Sequence, residues 1–150
     1  MDSTRELTDI NGACHCKNIQ FVLSWPQGEP EIPIRKCGCT FCQKHCGSWT
    51  SHRNSRLVIT IADRSLTSKY RFGTRTADFY LCKVCGVVPF VLSEIDDRLY
   101  SVVNVNAIEG TYELEFSSSS TSFDGEDVGS RLERRKQNWI RDVKIDKNIK

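Results

Sequence analysis

Residues 82–86 of this 150-residue chain are Cys82-Lys83-Val84-Cys85-Gly86, a C-x-x-C-G motif. Two thiolates on one tight turn can bind the same metal ion, and the glycine allows that turn to close. A tetrahedral ion needs four ligands, so this pair requires further ligands from elsewhere in the chain. The motif therefore predicts a fold in which distant segments converge on a metal ion.

Two other groups of cysteines can supply those ligands. One is Cys14-His15-Cys16, and the other runs from Cys37 through Cys39 to Cys42, with Cys46 four residues later. Soft thiolates accompanied by few histidines favour Zn²⁺, with an iron–sulfur cluster as the alternative. Because the chain has eight cysteines, at most two four-cysteine sites can form, and we expect two zinc ions per chain.

The spacing leaves two ways of dividing the cysteines between two ions. In the first, both sites are closed and structural, and Cys46 is the eighth ligand. In the second, the two outer pairs form one closed site: Cys14, Cys16, Cys82 and Cys85. The middle three cysteines then hold an ion with an open fourth position: Cys37, Cys39 and Cys42. Because an open position is typical of catalytic zinc, the division separates an enzyme from a structural protein.

The composition excludes several classes of protein. Hydrophobic residues make up 39% of the chain and charged residues 27%, with a net charge of +2, as in soluble globular proteins. The longest apolar run, residues 87–92, is far shorter than the ~18 residues of a membrane span, so we expect no membrane partner. The N-terminal sequence has no signal-peptide pattern, which favours an intracellular, cytoplasmic location and is equally compatible with the nucleus. The classical hydrolase, kinase and dehydrogenase motifs are absent.

The apolar pattern predicts a mainly β, antiparallel domain. Short strands are expected over residues 21–25, 57–61, 87–92, 99–105 and 112–116, with residues 93–98 as a hairpin connection. Residues 117–122 are a Ser/Thr tract and predict a loop. A helix should follow, with Ser130 and Glu133 as a capping box and with Leu132, Trp139 and Val143 on its buried face.

Charged residues near the cysteines and at the C-terminus have two possible roles. Arg35, Lys36 and Lys44 can bind a substrate carboxylate or lie solvated on the surface. Residues 131–150 carry eight Lys or Arg and three acids. We interpret this basic segment as the solvated outer face of an amphipathic helix and do not expect nucleic acid as a partner. Of the histidines, His15 is a possible neighbour of a metal ligand, and His45 is the nearest candidate for a general acid.

Taken together, the three cysteine groups resemble the glutathione-dependent formaldehyde-activating enzyme and centromere protein V family. The shared pattern is Gly12-x-Cys14-x-Cys16-x4-Phe21, then Cys37-x-Cys39-x2-Cys42-x-Lys44-x2-Gly47, then Cys82-x2-Cys85-Gly86. The pattern covers residues 12–116. The segment from Phe123 and a helix ending at residues 139–143 resemble a C-terminal extension found in many members.

The resemblance implies a β-tent fold and decides between the two divisions of cysteines. It implies a structural zinc on Cys14, Cys16, Cys82 and Cys85 and a catalytic zinc on Cys37, Cys39 and Cys42. We expect a polar segment over residues 1–11, the zinc domain over 12–116, and a Ser-rich loop with a C-terminal helical extension over 117–150 that packs on the same domain. The oligomeric state is not predicted.

The resemblance also implies a reaction. The expected activity is that of a carbon–sulfur lyase or synthase, which adds a small thiol such as glutathione to an aldehyde such as formaldehyde or reverses that addition. Its product would be S-hydroxymethylglutathione. The alternative is a non-catalytic, zinc-stabilised module that binds protein or nucleic acid, in which Cys46 closes the second site.

Overall fold

The computed structural model describes residues 7–28, 31–45, 47–110, 115–121 and 125–146. Two helices lie within these ranges, α1 (Thr40–His45) and α2 (Val128–Asn138). The strands in chain order are β1 (Leu7–Ala13), β2 (Ile19–Pro26), β3 (Glu31–Cys37), β4 (Ser48–Thr50), β5 (Arg56–Ile61), β6 (Thr67–Tyr70), β7 (Asp78–Cys82), β8 (Phe90–Ile95), β9 (Arg98–Asn104), β10 (Glu115–Thr121) and β11 (Asp142–Ile145). The predicted mainly β class with a C-terminal helix is confirmed.

Within the described ranges, the strands form two sheets. The smaller sheet has the order β1-β2-β5-β11 and the larger sheet the order β10-β3-β4-β9-β8-β7-β6. Most neighbours are antiparallel, as predicted. The exceptions are β10 with β3 and β11 with β5, which pair in parallel. Both parallel strands, β10 and β11, come from the C-terminal part of the chain and lie at the edges of their sheets.

The core between the sheets follows from the alternation of side chains along β2 and β5. Residues 19, 21, 23 and 25 of β2 and residues 57, 59 and 61 of β5 are all buried, whereas residues between them on β5 are partly exposed. This period of two places one face of each strand against the larger sheet. Phe90, Leu92 and Val103 complete the core from that side.

The larger sheet also carries apolar side chains on its opposite face. Val91 and Val102 belong to a second buried cluster with Trp49 and Trp139. The predicted hairpin between β8 and β9 is shorter than expected, because the strands extend to Ile95 and Arg98. Asp96 and Asp97 form its turn, with φ of 52° and 65°, values that suit a two-residue hairpin.

The predicted limits of the N-terminal polar segment and of the Ser-rich loop are wrong. Residues 7–11, expected in a polar N-terminal segment, lie in β1, where Ile10 is fully buried in the core. Residues 117–121, expected in a Ser-rich loop, lie in β10 at the edge of the larger sheet. Because strands pair through main-chain groups, an edge strand can form from a sequence of low strand propensity. Residues 111–114, the main part of another predicted strand, lie outside the described ranges.

The C-terminal helix begins earlier and ends earlier than predicted. Its N-cap is Asp127, whose side chain accepts a hydrogen bond of 2.7 Å from the amide of Ser130, so Ser130 is in the first turn rather than at the cap. Helix α2 ends at Asn138, and Val143 is in β11 rather than on the helix face. Ile140 pairs with Ser101 of β9, which holds the helix end against the larger sheet. None of the described helices has the length and apolar character needed to cross a bilayer.

We predict that Gly12→Ala destabilises the fold. Gly12 faces Phe21 across the β1–β2 pair, and a Cβ at residue 12 would overlap the buried Phe21 ring. Overpacking of this kind costs about 1–3 kcal/mol in the free energy of unfolding, which urea denaturation measures. Gly28→Ala is the control, because a Cβ there meets no atom. Equal stability of the two variants would contradict the close packing of Phe21 on Gly12.

Candidate metal centres

Four cysteines from the two outer motifs meet at one point. The sulfur atoms of Cys14, Cys16, Cys82 and Cys85 all lie within 4.8 Å of one another. The separation is 3.8 Å between the Cys14 and Cys16 sulfurs and 3.4 Å between those of Cys16 and Cys82. Zn–S bonds of about 2.3 Å in a tetrahedron put neighbouring sulfurs about 3.8 Å apart. The cluster therefore has the donor atoms and size of a closed four-sulfur metal site.

Backbone turns and hydrogen bonds from main-chain amides orient these thiols. Cys14 and Cys16 follow directly after β1, and Cys82 ends β7. The amide of Ile19 donates to the Cys14 sulfur at 3.3 Å, and the amides of Val84 and Cys85 donate to the Cys82 sulfur at 3.4 and 3.5 Å. These hydrogen bonds fix the directions of the Cys14 and Cys82 side chains.

The protonation of this first cluster is strongly perturbed. Burial raises the pKa of the Cys14 thiol to about 12. Burial also opposes ionisation of Cys85, but hydrogen bonds from the Val87 and Cys16 amides and from neighbouring thiols outweigh it and lower the pKa of Cys85 to about 6. Metal binding requires deprotonated ligands, so loading this site would release protons.

The middle cysteines form a second, three-sulfur cluster. Cys37 ends β3, while Cys39 and Cys42 lie just before and within α1, and their sulfurs lie within 4.8 Å of one another. The Cys42 amide donates to the Cys39 sulfur at 3.4 Å. A hydrogen bond with Cys37 and burial raise the pKa of Cys42 well above its usual range. Cys46 lies outside the described residues, so its predicted place near this cluster stays a prediction.

The Trp49 side chain supports this second cluster. Its indole Nε1–H donates to the Cys42 sulfur at 3.3 Å. Gly47 permits the contact, because a Cβ at residue 47 would come within 2.9 Å of the Trp49 ring. Trp49 thus fixes the direction of the buried Cys42 thiol, and all three cysteines line a cavity beside it.

That cavity has a volume of about 250 Å³ and opens onto Cys37, Cys39 and Cys42. Aromatic and aliphatic side chains form most of its wall: Trp49, Phe72, Ala77, Phe79, Val91, Val102 and Trp139. A concave, mainly apolar space beside a few polar groups is typical of a small-molecule site. The three-cysteine cluster is therefore accessible to a small ligand.

Four arginines line the same cavity: Arg35, Arg131, Arg134 and Arg135. The last three come from α2, so our interpretation of this helix segment as a solvated outer face is wrong for them. Positions 131, 134 and 135 share one helix face, and Arg135 is buried with its guanidinium 4.9 Å from the Trp139 ring centre. Burial lowers the pKa of Arg135 to about 10, so it stays protonated at neutral pH.

The other predicted polar residues lie elsewhere. Lys36 and Lys44 are exposed and do not line the cavity, in contrast to Arg35. His15 and His45 are exposed, and His45 packs on Phe41 with ring centres 4.4 Å apart rather than facing the cavity. The structure therefore does not place His45 where a general acid would be needed.

Comparisons with known proteins agree with the cysteine pattern. A family model described as glutathione-dependent formaldehyde-activating enzyme matches residues 9–121, which leaves α2 and β11 outside the match. A crystal structure of a Rhodobacter sphaeroides protein, solved as a structural-genomics target, is similar at 26% identity and a TM-score of 0.51. That alignment covers 71% of this chain and 99% of the bacterial chain. No curated protein matches the chain.

We predict that Cys82→Ser prevents folding. This change removes one of the four sulfurs that join the end of β7 to the end of β1, and structural zinc binding is worth on the order of 10 kcal/mol. The variant should be insoluble or unfolded by circular dichroism. Val84→Ser is the control in the same turn, because Val84 is exposed. A soluble Cys82→Ser protein with the wild-type melting temperature would refute a structural role for this cluster.

Proposed function

We propose a zinc-dependent carbon–sulfur lyase or synthase activity for this chain, which belongs to the glutathione-dependent formaldehyde-activating enzyme family. The substrate would be a thiol–aldehyde adduct such as S-hydroxymethylglutathione. The single observation that carries the proposal is the three-cysteine cluster, whose residues line a small, mainly apolar cavity. A closed four-sulfur site lies elsewhere in the chain, as expected for an ion with a structural role.

The donor sets support zinc in both clusters. Thiolates select zinc or iron–sulfur centres among the common metals, and four-sulfur and three-sulfur sets correspond to structural and catalytic zinc respectively. Cys14, Cys16, Cys82 and Cys85 would hold the structural ion, and Cys37, Cys39 and Cys42 the catalytic one. A zinc ion bound by the second set would supply a Lewis acid that favours the thiolate form of a substrate thiol.

The reaction needs little chemistry from the protein besides positioning. In the synthetic direction the thiol sulfur bonds to the aldehyde carbon, the carbonyl π electrons move to oxygen, and the thiol proton ends on that oxygen. The lyase direction breaks the same carbon–sulfur bond and returns the proton to sulfur. Holding thiol and aldehyde together in one cavity converts a bimolecular step into an effectively unimolecular one.

The chain's own residues would contribute orientation and exclusion of water. Phe72, Phe79 and Trp139 line the cavity and would shield the aldehyde carbon from hydration. Trp49 donates its N–H to the Cys42 sulfur, which reduces the charge density on that ligand and fixes its direction. Thr74 and Thr76 also line the cavity, and their hydroxyl groups hydrogen-bond each other at 2.8 Å.

We predict that Cys39→Ser stays folded and loses activity. Its cluster is built from residues 37–42, so loss of the second ion disturbs only a local segment. The variant should keep the wild-type melting temperature within a few degrees, retain about one zinc by elemental analysis, and lose thiol-adduct exchange. Exchange NMR between formaldehyde and S-hydroxymethylglutathione in the presence of glutathione measures that activity. Thr40→Ser, an exposed neighbour, should keep two ions and full exchange.

Two outcomes would contradict this prediction. An unfolded Cys39→Ser protein would make the second ion structural, and the enzymatic proposal would fail. Wild-type protein that does not accelerate exchange would remove formaldehyde and glutathione as substrates.

We predict that Cys46→Ala retains two zinc ions and most of the activity. If seven cysteines bind two ions, X-ray absorption of the wild-type protein should show about 3.5 sulfurs per zinc, with a light atom or substrate sulfur completing the second site. A four-sulfur average, together with loss of one zinc in Cys46→Ala, would mean two closed sites. The protein would then be a zinc-stabilised binding module.

A further inference from the structure

Arg135 is a buried cation whose described contacts are to neutral groups. Only 7% of the residue is exposed, and its Nη1 donates to the Thr76 carbonyl and hydroxyl at 3.3 and 2.9 Å and to the Ser93 hydroxyl at 3.1 Å. Within the described ranges its Nε has no hydrogen-bond partner and no carboxylate forms an ion pair with it. A buried guanidinium of this kind is costly unless an anion joins it.

Arg35 lines the same cavity as Arg135. It lies on β3, two residues before Cys37, and its Nη2 donates to the Ser51 hydroxyl at 2.6 Å. Ser51 in turn donates to the carbonyl of Asn138 at 2.8 Å, at the end of α2. This link through Ser51 holds Arg35 beside the end of the helix that carries Arg135. Among the described residues, no carboxylate forms an ion pair with Arg35.

The remaining two arginines of the cavity already have an anion. Arg134 contacts the Glu126 carboxylate through two nitrogens, with a shortest separation of 3.0 Å, and Arg131 lies 4.0 Å from it. No aspartate or glutamate of the described chain lines the cavity itself. Three thiolates around a divalent ion carry one net negative charge, and Glu126 carries another. Four arginines therefore leave an excess of two positive charges at the cavity.

Three of the four arginines that line the cavity lie outside the segment that matches the family's zinc domain. Residues 131–135 lie beyond the family match, which ends at residue 121. They bring the cavity three cations that the matched segment does not contain, and their helix closes the cavity over Val91 and Val102 of the larger sheet. Arg35, the fourth cavity arginine, comes from within the family match.

We propose that Arg35 and Arg135 form a carboxylate-binding subsite, and that this chain accepts small acidic thiols and their aldehyde adducts while rejecting neutral ones. This inference rests on the proposed function, which supplies the substrate thiol. It adds a binding site for the carboxylate groups of that substrate. A guanidinium fork binds a carboxylate through two parallel hydrogen bonds. The apolar residues of the cavity wall would contact the body of the substrate.

Calorimetric binding to the zinc-loaded protein tests this subsite with three probes. These are glutathione, its diethyl ester, which lacks the carboxylate charges, and S-methylglutathione, which keeps them but has no free thiol. Glutathione should bind about tenfold to hundredfold more tightly than the diester, since each charged hydrogen bond lost costs that much. Arg135→Gln and Arg35→Gln should each weaken both acidic probes by at least about tenfold and leave the diester unchanged.

Arg53→Gln is the matched control, because it removes the same charge from an exposed position outside the cavity. It should bind all three probes as the wild type does. If Arg135→Gln fails to fold, Arg35→Gln still decides the question, since Arg35 is only partly buried. A melting curve of each variant separates lost binding from lost structure.

The outcomes distinguish the subsite from the proposed function. Equal affinity for glutathione and its diester, or a loss in Arg53→Gln as large as in the two cavity variants, would overturn the subsite and leave the enzymatic proposal intact. Equal affinity for glutathione and S-methylglutathione, with arginine dependence preserved, would support the subsite and remove the contact between substrate sulfur and metal. Absence of binding by all three probes would overturn both.

Discussion

The meeting of Cys14 and Cys16 with Cys82 and Cys85 joins the two sheets of this protein. The first pair follows β1 of the smaller sheet, and the second pair lies at the end of β7 in the larger sheet. An ion held by all four sulfurs would link segments that the main-chain hydrogen bonds of neither sheet connect. The apolar core formed by β2, β5, β8 and β9 lies between the same two sheets. The cysteine cluster and the core therefore constrain one and the same interface.

The two faces of the larger sheet contact different surroundings, the core on one side and the cavity on the other, because successive side chains alternate between the faces. Phe90 and Leu92 of β8 point into the core between the sheets, whereas Val91 of the same strand lines the cavity at the other face. The three-cysteine cluster thus lies on a face that is not needed to close the core. This separation explains why loss of its metal is expected to be a local event, while loss of the four-cysteine cluster is expected to unfold the chain.

Helix α2 covers part of that second face of the larger sheet and so helps to enclose the cavity. Trp139 and Ile140 at its end are buried, and the pairing of Ile140 with Ser101 fixes the helix relative to β9. The arginines of α2 line the cavity and are therefore less solvated than on an open surface. Within the described residues, the hydrogen bonds of Arg135 go to hydroxyl and carbonyl groups rather than to acids. A chain selected for stability alone would gain by replacing such a buried cation, so its presence is more consistent with binding than with folding.

The cysteine grouping and the β class were determined by the sequence alone, because both depend on short-range spacing. The C-x-x-C-G turn at Cys82 and the alternation of apolar residues in β2 and β5 are local patterns with a direct geometric meaning. The tertiary structure decided which residues meet across the chain. Residues 117–121 are a polar tract that becomes a strand only because β3 offers an edge. Arg131, Arg134 and Arg135 have the spacing of a solvated helix face, and only the packing of α2 on the larger sheet makes them line the cavity, since orientation depends on contacts between distant segments.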